Sequence, residues 1–298
     1  MPAPRPLKLA FDRRLRALGA GLSAPLDRDA EALHRARVAS RRLRAAIPLL
    51  ETDSADSARN DRRALAVARR EIHRLTAALG QVREMDVALS IVRDLRARRP
   101  DLAAGVDAIG AAIERERATR LGALRERVSL ARLQRVSRVL AQAAKRADDV
   151  GAADAGVAGL RSLADRLTAC IDHAGVLYAV DRLHAVRIAA KKLRYALELE
   201  GEIRGRSTGK WVSAVRHVQD ILGRLHDLDL VAGHAAVVAG GADIPGEIRS
   251  SARLIVDILE QEIHERHASY LGSRDDLRRV VHAVRHGRRA QRTDAAAG

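Results

Sequence analysis

Apolar residues recur along this chain at intervals of three and four rather than two, which predicts helix almost throughout. In "ARVASRRLRAAIPLL" (36–50), Ala36, Ala39, Leu43, Ala46, Ile47 and Leu50 fall on one side of a helical wheel and form a core seam. Val186, Leu193 and Leu197 do the same in a later segment. The punctuation is sparse. Breaks are expected at "GAGLSAPLD" (19–27), "TDSADS" (52–57), Gly80, "RRPD" (98–101), "DDVGAADAG" (148–156) and "HAG" (173–175). Further breaks are expected at "GEIRGRSTG" (201–209), Gly223, "GGADIPG" (240–246) and "GSRDD" (272–276). No segment alternates convincingly as a strand, so the predicted class is all-α, with a disordered tail over 288–298.

Two phrases occur twice. "HRARVASRRLR" (34–44) returns as "HAVRIAAKKLR" (184–194), and "LGQVREMD" (79–86) returns as "LGRLHDLD" (222–229), in the same order. Each half therefore reads as a basic helix, a connector, a second helix and an LG corner. This pattern predicts two similar helical bundles, 1–150 and 151–287, joined near the glycine-rich stretch 148–156.

The repeated helix carries its chemistry on one line. With His34 at zero, Arg41 lies about 20° away, Arg37 about 60° and Arg44 about 80°. His184, Arg187, Lys191 and Arg194 repeat the layout, while Arg42 and Lys192 widen each stripe on the other flank. Neither stripe contains an acid. An ordinary solvated face mixes signs, because opposite charges four residues apart stabilise a helix and like charges do not. Two matching stripes of one sign point to a shared anion site, with arginine forks for phosphate and histidines that gain charge as an anion approaches. A solvated face inherited by both copies is the competing reading.

Composition narrows the partner. The 298 residues carry 54 Lys and Arg against 38 Asp and Glu, a formal charge of +16, which favours a polyanion: nucleic acid, an acidic surface, an acidic protein or inorganic polyphosphate. Aromatics make up only 2% of the chain, too few for base-stacking recognition of single strands. The single cysteine, Cys170, excludes an internal disulfide and a multi-thiol zinc site. With neither a secretory signal nor a long apolar run, the expected location is the cytoplasm.

Weaker signals surround the stripes. Arg69, His73, Arg74, Arg83, Arg216 and His217 place positive charge near the corners, either as further phosphate contacts or as complements to helix dipoles. Arg13, with its neighbours in the first helix, could join the groove or simply charge that helix. Glu84, Asp86, Asp227 and Asp229 are expected to cap the helices after the corners rather than to hold a metal or serve as acid and base. "HERH" (264–267) lacks zinc-protease spacing, and neither a Walker loop nor a G-x-S-x-G elbow occurs. No cofactor, metal or catalytic residue is expected.

The duplicated basic phrase followed by an LG corner with paired acids resembles the CHAD family, the conserved-histidine α-helical domain, over roughly Lys8 to Gly287. The resemblance implies one compact unit of two pseudo-symmetric four-helix bundles whose basic surface binds inorganic polyphosphate at bacterial polyphosphate granules, without established enzymatic activity. Carried across, the motif histidines are His34 and His184, with Arg37, Arg41, Arg42 and Arg44 beside the first and Arg187, Lys191, Lys192 and Arg194 beside the second. Many relatives carry an E-x-E-x-K triphosphatase tunnel. "ELEGEIR" (198–204) departs from that strand and reads as a helix end. Readings left open are a nucleic-acid or nucleoid binder, an accessory or phosphohydrolase role in polyphosphate metabolism, and a scaffold for an acidic protein.

Overall fold

The computed structural model describes residues 5–24, 29–50, 59–149, 156–205 and 208–286. Among them the chain forms nine α-helices and no strand: α1 (Pro6–Ser23), α2 (Ala30–Ala46), α3 (Arg59–Arg98), α4 (Ala103–Arg127), α5 (Leu130–Asp149), α6 (Gly156–Ala174), α7 (Val180–Arg204), α8 (Gly209–Gly240) and α9 (Gly246–His286). The expected tail, the "TDSADS" break and most of the "DDVGAADAG" boundary lie outside the described residues.

Local chemistry sets several ends. Asp29 caps α2 by accepting from the Ala32 amide at 2.7 Å. Gly205 takes φ 63° just after α7, a backbone state that costs glycine little, so "ELEGEIR" is the helix end expected. Three expected breaks do not occur: α3 runs through Gly80, α8 through Gly223, and α9 through "GSRDD". A glycine inside a helix costs only about 1 kcal/mol. Leu79, Val82 and Met85 are buried on either side of Gly80, and Leu222, Leu225 and Leu228 around Gly223, so the apolar seam carries each helix across. The LG corners are thus mid-helix turns. Glu84, Asp86, Asp227 and Asp229 consequently cap nothing.

Packing repeats in order. α2 lies against α1 and α3 as α7 lies against α6 and α8, while α5 returns to α1 as α9 reaches α6. Two apolar cores result. One gathers α1, α2, α3 as far as Val82, Leu121 and Leu124 of α4, and α5; the other gathers α3 from Met85, Leu102 to Ile113, and α6 to α9. The 40-residue α3, about 60 Å long, therefore serves both. In exchange, α7 sends Leu199 into the first core, and Glu202 takes Arg13 at 3.0 Å and the buried Arg14 at 2.6 Å. Between the cores, α2 meets α7 and α3 meets α8, leaving an open cleft at the four-helix junction.

Candidate anion-binding cleft

Both basic stripes open on this one cleft, which has a volume of about 530 Å³. α2 contributes His34, Arg37, Arg41 and Arg42, and α7 contributes Arg187, Lys191 and Arg194. The core seam opposite each stripe explains the aim. Ala36, Ala39, Leu43, Val186, Ala190 and Leu193 are at most 4% exposed, so anchoring that face turns the cations inward across the junction.

The remaining expected residues distribute differently. Arg83 and Arg216 line the cleft from α3 and α8. His184 lies just behind it, in a small cavity sharing Arg187 and placing its ring 5.2 Å from that of His226. Arg44 and Lys192 are half-buried but line none of this space, and Arg69 and His217 are exposed away from it. Arg13 is committed to Glu202. His73 and Arg74 line a separate groove against α5, where Arg74 meets Glu71 at 3.0 Å.

The α8 wall of the cleft escaped the sequence reading as a wall, although Arg216 and Asp227 were each named singly. Arg216, Asp220, Gly223 and Asp227 are spaced by four, three and four residues and share one face of α8, a regularity hidden once Gly223 is taken as a break. Arg224 enters the same wall, held by Glu262 at 2.8 and 3.0 Å. Glu198 faces three arginines from three helices: Arg42 at 3.5 Å, Arg194 at 3.6 Å and Arg216 at 4.0 Å. Arg194 also stands over the Tyr195 ring, 4.8 Å from its centroid. Asp86, expected as a cap, instead accepts from Arg117 at 2.6 Å and lies 3.9 Å from Arg83.

Cations dominate the middle of the cleft. Among the described residues, Arg37, Arg41, Arg187 and Lys191 make no ion pair within 4.0 Å. The Nε atoms of Arg37 and Arg187 and the Nδ1 of His34 are buried without hydrogen-bond partners. Burial and the shortage of negative charge together shift the ionisable groups of the cleft. Burial, reinforced by Arg187, Arg41 and Arg37, holds the Lys191 amine down at about 5. Burial together with Arg41 lowers Arg37 to about 10, and burial with Arg187 and His184 lowers His226 to about 4. His34 and His184 are lowered likewise, first by burial and then by neighbouring arginines. Burial raises Asp227 despite these cations. The cleft therefore carries less charge at neutral pH than its residue count implies.

Among the described residues, no group of three or more His, Cys, Asp and Glu side chains is placed to hold a metal ion. No described helix is long and apolar enough to cross a membrane.

Solved structures share this architecture. PptA from Streptomyces chartreusis is 17% identical, with TM-score 0.63 over 90% of this chain and 97% of its own. The CHAD domain from the plant Ricinus communis is 23% identical, with TM-score 0.63 over 93% of this chain and 91% of its own. No curated protein sequence matches the chain. The family model for the CHAD domain matches residues 9–236, a span that takes in both basic helices and the whole cleft between them, and the chain belongs to that family.

Proposed function

We propose that the chain binds inorganic polyphosphate along the cleft, holding it without hydrolysing it and so attaching to polyphosphate granules in the cytoplasm. The observation that carries this reading is the unpaired cluster of Arg37, Arg41, Arg187 and Lys191, drawn from both repeated helices into one open channel. A linear chain of phosphates supplies negative charge continuously along such a channel. Arginine forks bind its oxygens in pairs, and the few aromatic groups are not needed. Family membership supports the same ligand class.

Binding of this kind releases counterions. By analogy with single-stranded nucleic acids, about six phosphate contacts give a log–log salt slope of roughly −4. The test is a filter-binding titration of long-chain polyphosphate with the parent and with a variant carrying Arg37→Glu, Arg41→Glu, Arg187→Glu and Lys191→Glu, its helicity checked by circular dichroism. The folded variant should lose binding at moderate salt. Because Arg187 is buried, Arg41→Glu with Arg42→Glu serves as a milder second variant and should weaken binding at least tenfold. Parent-like affinity in either folded variant refutes the placement. If duplex DNA outcompetes polyphosphate at equal phosphate concentration, a nucleic-acid partner replaces this one.

A further inference from the structure

Among the described residues Lys191 is the only lysine lining the cleft, and its surroundings suit a role beyond electrostatic attraction. Facing it are Arg37 and Arg41 of α2, Arg187 one turn earlier on α7 and Asp227 of α8 as the opposing charge, with the neutral-leaning His184 of α7 and His226 of α8 also within its field. The side chain is half-buried, yet it borders open space large enough for a small ligand beside the three guanidinium groups. An anion-binding trio next to an unpaired primary amine is the arrangement a phosphate-bearing electrophile requires. The phosphate is caught by the arginines, and the reactive carbon is presented to nitrogen.

We propose that Lys191 is a modification site for acyl phosphates, whose phosphate docks on Arg37, Arg41 and Arg187 while the Lys191 amine takes the acyl group. The Nζ lone pair adds to the acyl carbon, and the carbon–oxygen bond to phosphorus breaks. Inorganic phosphate leaves with the bonding electrons, and the surplus proton on the new amide nitrogen passes to the departing phosphate or to water. No oxidant, reductant or metal enters the balance.

The reaction needs the free amine, and burial first, then three adjacent cations, disfavour the charged form. At neutral pH an ordinary lysine presents about one free amine in 2,500, whereas Lys191, held down at about 5, is almost entirely free base. Lower basicity weakens a nucleophile with a Brønsted slope of about 0.4–0.5, measured for thiols and applied here to an amine, which leaves roughly a tenfold net gain. A doubly charged acyl phosphate does not outweigh three guanidiniums. A long polyphosphate brings many more charges and protonates the amine, so occupancy by the polymer protects the lysine. Acylation in turn removes an amine that the polymer would otherwise protonate and adds bulk beside the arginines, making polymer binding responsive to the supply of acyl phosphate.

Lys192, the adjacent residue outside the cleft, is a built-in control. The full chain is treated with acetyl phosphate, and occupancy at Lys8, Lys145, Lys191, Lys192 and Lys210 is followed by peptide mass spectrometry from pH 6 to 9. Lys191 should react about ten times faster than Lys192 at pH 7. Its rate should stay flat with pH, while that of a free lysine amide added to the same reaction rises about tenfold per unit. Arg41→Gln should slow Lys191 several-fold toward acetyl phosphate but not toward an uncharged acetyl ester. Equal rates at Lys191 and Lys192, or a Lys191 rate that climbs with pH, overturn the proposal. If polyphosphate binds the parent while Lys191 stays inert, this inference alone fails. If Lys191 reacts selectively while polyphosphate neither binds nor protects, the polyphosphate reading fails and this one stands.

Discussion

Binding of a polyanion at neutral pH should draw a proton from solution, and Lys191 should take it. Burial and the neighbouring guanidiniums hold its amine down at about 5, against about 10.4 for a free lysine. Charging it at pH 7 costs about 2.7 kcal/mol, two units at 1.36 kcal/mol each, and a phosphate chain beside it must outweigh that cost. Once the phosphates restore the amine toward its ordinary value, the complex holds one proton more than the free protein across the interval between the two titrations. Affinity for long-chain polyphosphate should then fall about tenfold per pH unit between pH 7 and 9. His34, His184 and His226 are also lowered in the free protein, but even restored to their usual range they are largely neutral at pH 8. That pH therefore isolates the lysine. Isothermal titration calorimetry in buffers of different ionisation enthalpy should register about one proton taken up per site at pH 8. Lys191→Gln should abolish the uptake and flatten the pH dependence. Buffer-independent heats for the parent, or undiminished uptake in Lys191→Gln, would refute the premise that the cleft holds this amine neutral.

Three further outcomes follow. Glu198 occupies three arginines of the cleft, so Glu198→Gln should tighten polyphosphate binding about three- to tenfold and steepen its salt dependence in the same titration; weaker binding would mean that the carboxylate positions those arginines instead. The free protein should gain stability as pH rises from 6 to 9 relative to Lys191→Met, since over that range the unfolded lysine binds a proton that the native one lacks; denaturant melts with coincident pH profiles would contradict this. Gly105→Ala should destabilise the fold by roughly 1–3 kcal/mol in chemical denaturation, because a Cβ there would lie 2.7 Å from Ser251 Oγ and 2.9 Å from the Ala252 nitrogen; an unchanged midpoint would show that α4 and α9 approach less closely.

The two basic helices were legible because period and sign are local properties. Ala36, Leu43, Val186 and Leu193 mark the buried side directly, and the stripe follows from 100° per residue. That both serve one anion site was expected from the repeat, but where they meet was not legible, since that depends on where α3 and α8 carry them. The glycine reading failed for a related reason. Gly80 and Gly223 look like stops until the tertiary burial of Leu79, Val82, Leu222 and Leu225 is weighed against a cost of about 1 kcal/mol. That single misreading hid the α8 wall and turned Asp86 and Asp227 into supposed caps. Glu198 was invisible as a hub because its arginines come from positions 42, 194 and 216, on three different helices.

Crossing both cores gives α3 a consequence for how this protein can be divided. A fragment ending in the central linker would keep Met85, Ile91, Leu95, Val106 and Ile113 but lose the helices α6 to α9 that cover them. Those side chains would face water and favour either aggregation or recapture of the missing piece. The two cores resemble links closed through one another more than beads on a string. Gene truncation, fragment expression and the grafting of one repeat elsewhere all meet the same obstacle, because each repeat finishes its interior with the other's residues.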